Sequence, residues 1–232
     1  MAAISVNKVI QTLGILAIII VVLDLAAMVF SLVSGHDSVF GLLNLLNLDK
    51  ERGIGMLFQV LLLVGNAALF LIVSKAAAAG KTESGPWLFL SLVFLFLALD
   101  EFAFIHERLM PMMRSLVGDD GVLYFAWIVP YGLAVAVLAV WIAPKIFRLS
   151  SEPRFFFVMA AICYVGGALG MEALGGWRMN VIGGESARPE LVYELLTTIE
   201  ELLEMAGLIL LSRALLGMVR DAYPTTTLLI ED

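Results

Sequence analysis

Charged residues are scarce in this sequence, and their scarcity excludes several classes of protein. Asp, Glu, Lys and Arg make up 15% of the 232 residues, against 61% hydrophobic residues, whereas soluble domains carry about 25% charged residues. Basic residues are also in deficit, with 14 Lys and Arg against 21 Asp and Glu and no basic stretch. This balance excludes a nucleic-acid-binding protein. The composition predicts a polytopic membrane protein.

Cysteine and histidine are nearly absent as well. A single cysteine, Cys163, excludes an internal disulfide framework and a cysteine-based zinc knuckle. The two histidines, His36 and His106, are too few for a histidine-rich oxygenase site or for bis-histidine haem ligation at more than one centre. Any metal site in this chain must therefore take most of its ligands from carboxylates.

Long apolar runs predict six transmembrane helices in a single polytopic domain, residues 1–232. A bilayer core about 30 Å thick needs roughly 20 apolar residues of helix, and six segments separated by Gly-, Ser- and Pro-containing turns reach that length. The predicted spans are 9–33, 54–78, 85–110, 121–143, 153–176 and 190–217. The predicted fold class is therefore an all-α integral membrane bundle of about six transmembrane helices.

The connection between the first two spans, residues 34–53, predicts a short interfacial helix. Its leucines and Phe40 cover most of a helical circumference, and Asn44 and Asn47 share the remaining strip. The apolar run is too short to cross a bilayer, so we expect it to lie in the membrane interface. It is either a hydrophobic connector packed on the bundle or a cover over a site.

The distribution of Lys and Arg predicts the orientation of the bundle. Six spans place both termini on the same side, and cytoplasmic termini put eight basic residues in the inner segments and six in the outer ones. Because cytoplasmic loops are enriched in Lys and Arg, we expect both termini to be cytoplasmic. The expected location is the inner membrane of a bacterium.

Acidic residues within the predicted spans are the strongest functional signal in the sequence. An acid at the bilayer centre costs about 2.5–3.5 kcal/mol even on the gentlest scale, and no lysine lies deep in any span. These acids must therefore be protonated, face water or hold cations. Nine fall inside the spans, leaving aside Glu190 at the first position of span 6: Asp24, Asp100, Glu101, Glu107, Glu172, Glu194, Glu200, Glu201 and Glu204.

The third and sixth spans carry the densest groups of acids. In an unbroken helix, Asp100 and Glu107 differ by only about 20° around the axis, with His106 on the flank of the same face. Glu201 and Glu204 are three residues apart, which directs their side chains to one side. With cytoplasmic termini, four helices deliver acids to one layer in the outer half of the bundle. We expect spans 3 and 6 to be uninterrupted, which favours a fixed site.

This layer predicts a buried site for one or two divalent metal ions. Oxygen ligands with a single imidazole suit iron, manganese or zinc, and an oxygen-only subset suits calcium. Ferritin-like di-metal centres use similar chemistry, but no Glu-x-x-His occurs here, and Met110 stands where a His-Glu-x-x-His protease would need its second histidine. The candidate ligands are Asp100, Glu101, His106, Glu107, Glu172, Glu200, Glu201 and Glu204.

Three classes of function remain open at this point. The first is a membrane metalloprotein, which includes a metalloenzyme acting on a lipid-soluble substrate. The second is a transporter of divalent cations, or one coupled to protons, that uses the same acids. The third is a metal site with a structural or sensing role and no catalysis. The expected partners are the lipid bilayer and either a lipid-soluble small molecule or a transported cation, with no nucleic acid.

Overall fold

The computed structural model describes residues 4–35, 40–48, 50, 52–184, 190–223 and 230–231, and within these ranges it is almost entirely helical. A two-residue parallel pairing joins β1 (Ile4–Ser5) to β2 (Ile230–Glu231). The helices are α1 (Val6–Ser34), α2 (Leu42–Leu46), α3 (Ile54–Ala79), α4 (Gly85–Ala103), α5 (Ile105–Val117), a 3₁₀ turn (Gly121–Leu123), α6 (Ile128–Ile146), α7 (Ser151–Val165), a π-helical segment (Gly166–Met171), α8 (Glu172–Ile182) and α9 (Leu191–Ala222).

Six helices of the described chain are long and apolar enough to cross a membrane, as the sequence predicts. They are α1, α3, α4, α6, the continuous helix from α7 through α8, and α9. The all-helical fold class is therefore confirmed at this level. The short α5 is not among them, because its 13 residues include His106, Glu107, Arg108 and Arg114.

Helix α9 is the centre of the bundle, since it packs against α1, α3, α7, α8 and the π-helical segment. Its buried residues run from Thr198 to Val219. Around its second half lies an apolar core that includes Phe70, Trp87 and Leu215. A polar helix would not tolerate this position, and the Leu-rich sequence of α9 supplies the apolar surface that its neighbours bury.

Buried polar side chains concentrate at the other end of the bundle, on the side where α2 lies. Asp24, Gln59, Asp100, Thr198 and Glu204 are each no more than 9% exposed. They occupy the last turns of α1 and α4 and the first half of α3 and α9. The alternating direction of these helices therefore brings polar residues that are distant in sequence to one level.

The helix expected between the first two spans is present, but it is only five residues long. α2 covers Leu42–Leu46 and contacts α1 and α3. Leu43 and the following Leu48 are buried, whereas Leu42 and Leu45 are exposed. His36 lies outside the described residues. The segment thus packs on the bundle with part of its apolar surface and leaves the rest uncovered.

The predicted third span, 85–110, is not a continuous helix, which corrects the expectation of an uninterrupted span. α4 ends at Ala103, and Phe104 takes the left-handed conformation, with φ 53° and ψ 45°. α5 starts in a new direction at Ile105. The small angle around the helix axis that placed Asp100 and Glu107 on one face no longer applies, because it assumes an unbroken helix.

Close packing between α7 and α9 depends on Gly207. A Cβ at this position would lie 2.6 Å from the backbone nitrogen of Tyr164 and 2.9 Å from the carbonyl oxygen of Ala160. Because backbone atoms cannot rotate away, we expect Gly207→Ala to lower the free energy of unfolding by about 1–3 kcal/mol. Thermal unfolding of the purified protein in detergent measures this change.

The matched control is Gly65→Ala, at a helix-interior glycine whose added Cβ would meet no atom within 4 Å. This variant should unfold at or above the wild-type temperature, since alanine is the better helix former. Equal effects of the two substitutions would contradict the packing role of Gly207.

Candidate functional site

All eight predicted ligand residues belong to one electrostatic network. Glu101 interacts with Asp100, His106 and Glu107, and it also interacts with Glu201 and Glu204 across the bundle. Glu172 joins the network through the three acids of α9. We call these residues the carboxyl cluster: Asp100, Glu101, His106, Glu107, Glu172, Glu200, Glu201 and Glu204.

Asp100 holds the break between α4 and α5 in place. Its carbonyl oxygen accepts a hydrogen bond from the backbone N–H of Phe104. One carboxylate oxygen, Oδ1, accepts the backbone N–H of His106 at 2.8 Å and lies 3.3 Å from Nδ1 of the same residue. A backbone N–H in the first turn of a helix has no partner within the helix. The Asp100 side chain therefore both caps α5 and orients the His106 ring.

The His106 ring packs against two aromatic side chains that sequence reasoning did not include. Its centroid lies 4.7 Å from that of Trp127 and 6.3 Å from that of Tyr131. Tyr131 also interacts electrostatically with Asp100, and the Trp127 indole Nε1 donates to Glu172 at 3.0 Å. The only signal for them in the sequence is a pair of aromatic residues with polar atoms at the start of span 4. These two side chains fix the imidazole and the carboxylates around it.

The approach of Glu200 and Glu204 to the π-helical segment depends on Gly167. A Cβ at position 167 would lie 2.8 Å from the carbonyl oxygen of Glu200 and 2.9 Å from Cγ of Glu204. Glu172, immediately beyond this segment, interacts electrostatically with Glu200. π-Helical turns are rare and occur often at functional sites. Here the extra residue of the π turn brings Glu172 to α9.

Gln59 is a further polar residue at the cluster that the sequence did not single out. It lies on α3, is 1% exposed, and its Nε2 donates a hydrogen bond to Oε2 of Glu201. Its Oε1 has no hydrogen-bond partner among the described residues. Only Gln59 and Asn66 carry side-chain amides within α3, and that scarcity is the signal that could have identified it.

Asp24, in contrast, is used to hold the α2 segment. Its Oδ1 accepts the backbone N–H of Leu48 at 3.0 Å, and its Oδ2 accepts the Thr198 hydroxyl at 2.7 Å. Beside it, the Asn47 amide donates to Glu194 at 3.3 Å. Asn47 and Glu194 line a cavity of about 160 Å³ between α1, α2 and α9. This cavity reaches α9 two turns before Glu201.

The side chains of the cluster do not converge on one point at metal-ligand distances. Within the part of the chain that the structure describes, no group of three or more His, Cys, Asp or Glu side chains is arranged to hold a metal ion. The network is therefore an assembly of hydrogen-bonded and electrostatically coupled acids around His106. Ligation of a metal by these residues needs rotations of the glutamate side chains, which have three rotatable bonds each.

Comparison with known proteins assigns the chain to a family. The family described as "Domain of unknown function (DUF8692)" matches residues 12–219, which include every member of the carboxyl cluster. The chain therefore belongs to this family. No curated protein matches the chain, and no solved structure matches it.

The contacts of Asp24 predict a structural role for this carboxyl, which also interacts electrostatically with Glu201. Asp24→Leu removes the acceptor of a buried backbone N–H, and an unsatisfied buried donor costs about 1–3 kcal/mol. We expect a loss of that size in the free energy of unfolding, and a smaller loss in Asp24→Asn, which keeps one acceptor oxygen. Thermal unfolding measures both variants. Unchanged stability in Asp24→Leu would contradict this role.

Proposed function

We propose that this member of the DUF8692 family is a membrane protein whose carboxyl cluster binds divalent metal ions. The observation that carries the proposal is the pairing of Asp100 with Nδ1 of His106. Histidines that bind metals usually donate the N–H of their second ring nitrogen to a carboxylate, and this hydrogen bond fixes the tautomer and the ring orientation. This pairing leaves Nε2 of His106 as the ring atom available to a metal.

Charge balance supports the same proposal. His106 is the leading charge partner of Glu101, followed by Asp100 and Glu107, whereas the leading charge partners of Glu201 and Glu204 are other carboxyl groups of the cluster. Ionised carboxylates packed together in an apolar bundle require compensation by cations or by protons. One or two divalent ions compensate several carboxylates at once, because a carboxylate can bridge two ions.

Within this proposal Asp100 positions His106, and the glutamates are the ligands. Oδ1 of Asp100 already accepts the backbone N–H of His106 and lies 3.3 Å from its Nδ1. Asp100 is therefore better suited to orienting the imidazole than to binding the metal. Glu101, Glu107, Glu172, Glu200, Glu201 and Glu204 supply the oxygen ligands. Iron, manganese and zinc suit this mixture of oxygens and one nitrogen, and calcium suits an oxygen-only subset. A metalloenzyme at this depth would act on a lipid-soluble substrate.

Proton binding is the second candidate, and a specific interaction favours it. Glu172 and Glu204 are the leading charge partners of Glu200, and carboxyl groups packed together in an apolar bundle can be compensated by bound protons instead of cations. The helix break at Phe104 also resembles the interrupted helices of transporters. A proton-coupled transporter would use the same acids as a relay, with no resident metal.

Elemental analysis of the purified protein distinguishes these two functions. We expect one to two equivalents of metal to copurify, because several carboxylates and one imidazole provide enough ligands for that number. The double variant His106→Ala, Glu204→Ala should lose this metal. The control double variant Glu152→Ala, Asp221→Ala removes two acids at the other end of the bundle and should retain it.

Metal-free protein whose melting temperature is unchanged by added Fe, Mn, Zn or Ca would overturn the metal-binding proposal. The proton relay then predicts proton uptake into proteoliposomes that is lost in Glu172→Gln. A metal that stays in the His106→Ala, Glu204→Ala variant would place the metal site elsewhere.

We propose further that both termini face the cytoplasm of a bacterial inner membrane. The excess of basic residues in the segments assigned to that side supports this orientation. In a Cys163→Ala background, Asp119→Cys should react with a membrane-impermeant thiol reagent added outside, and Thr82→Cys should react only after the membrane is opened. The reverse pattern would invert the topology.

A further inference from the structure

Gln59 presents a buried acceptor to the carboxyl cluster that no described residue satisfies. Its Nε2 donates to Oε2 of Glu201, and its Oε1 is without a hydrogen-bond partner among the described residues. Both atoms belong to one planar amide, so the bond to Glu201 also fixes the position of Oε1 beside the cluster. Buried polar atoms are nearly always paired, and an unpaired one calls for a bound water, ion or ligand.

The second amide of α3 shows that an unpaired atom is not a general property of this helix. Asn66 lies seven residues after Gln59 and is likewise fully buried. Its Oδ1 accepts the Ser212 hydroxyl at 3.0 Å, and its Nδ2 donates to the carbonyl oxygens of Leu62 and Leu208 at 2.9 and 3.0 Å. Asn66 therefore joins α3 to α9, whereas Gln59 retains one free oxygen at the level of the acids.

We propose that Oε1 of Gln59 is a ligand of the divalent ion bound by the cluster, an inference that rests on the proposed metal-binding function. The carboxyl cluster already holds more negative charge than one divalent ion compensates. A neutral amide oxygen raises the coordination number and adds no further charge.

This ligand also narrows the choice of metal. An amide oxygen is a typical ligand of oxygen-preferring ions with six or more ligands, whereas zinc in proteins is mostly four-coordinate with nitrogen and sulfur ligands. The site assigned here is therefore a six-coordinate, oxygen-rich site with one imidazole. Mn²⁺ and Fe²⁺ fit these ligands better than Zn²⁺ does.

Titration of the full chain in lipid nanodiscs with Mn²⁺, followed by electron paramagnetic resonance, tests this role. Gln59→Met keeps the length of the side chain and removes the oxygen, so Mn²⁺ affinity should fall at least about tenfold, a loss of the size seen for supporting groups of metal sites. Gln59→Glu keeps an oxygen at the same reach and should bind Mn²⁺ more tightly than Gln59→Met does. Zn²⁺ affinity should change less in both variants.

Asn66→Leu is the matched control, because it also removes a buried amide from α3. It should lower the melting temperature and leave Mn²⁺ affinity unchanged. If Gln59→Met does not fold, Gln59→Asn provides the same test, since it withdraws the amide by one methylene and should also weaken Mn²⁺ binding. Wild-type Mn²⁺ affinity in folded Gln59→Met or Gln59→Asn protein overturns the role of Gln59 alone.

The proposed function and the role of Gln59 fail in different ways. A wild-type protein that binds no Mn²⁺, Fe²⁺, Zn²⁺ or Ca²⁺ overturns both. Wild-type protein that binds Mn²⁺ with the same affinity as Gln59→Met keeps metal binding and assigns Gln59 a hydrogen bond to a protonated Glu201 instead. Equal loss of Mn²⁺ binding in Gln59→Met and Asn66→Leu would indicate a general effect of helix packing, and would also overturn the ligand role.

Discussion

The structure depends on one constraint, which is the burial of several carboxyl groups in an apolar helix bundle where His106 is the basic side chain that interacts with them within the described residues. Neutral hydrogen-bond donors stabilise some of these buried carboxyl groups. The Leu48 backbone and Thr198 donate to Asp24, the Gln59 amide donates to Glu201, and Trp127 donates to Glu172. Because each donor comes from a different part of the chain than its acceptor, satisfying the acids also decides which elements meet at this end of the bundle.

Two irregularities of the helices serve the same site. The break at Phe104 frees the backbone N–H of His106, which Asp100 accepts, and so converts a helix end into support for the imidazole. The π-helical segment carries Gly167, whose lack of a side chain lets the backbone approach Glu200 and Glu204. Regular helices would have packed more simply. Departures of this kind at buried ionisable groups are typical of functional sites.

Bound metal ions and bound protons are two ways to compensate the charge of the buried carboxyl groups. A shared proton would relieve the repulsion between Glu172 and Glu200. A divalent ion would use the orientation of His106 and the Gln59 Oε1, which has no hydrogen-bond partner among the described residues. Proton binding and metal binding require different movements of the glutamate side chains. A relay works with the present hydrogen bonds, whereas metal ligation draws the glutamates away from them toward a common centre.

The sequence by itself determined the helical class, the six long apolar helices and the presence of acids within them. Length, hydropathy and the cost of a charge in an apolar bundle are local or additive properties, so they can be counted from residues. It did not determine the break at Phe104, the length of α2 or the parts played by Gln59, Trp127 and Tyr131. A left-handed residue and a hydrogen bond between distant helices are stable only when the packed neighbours are in place. The parts played by Gln59 and Trp127 were decided by the tertiary structure, because their hydrogen bonds join residues that are far apart in the chain.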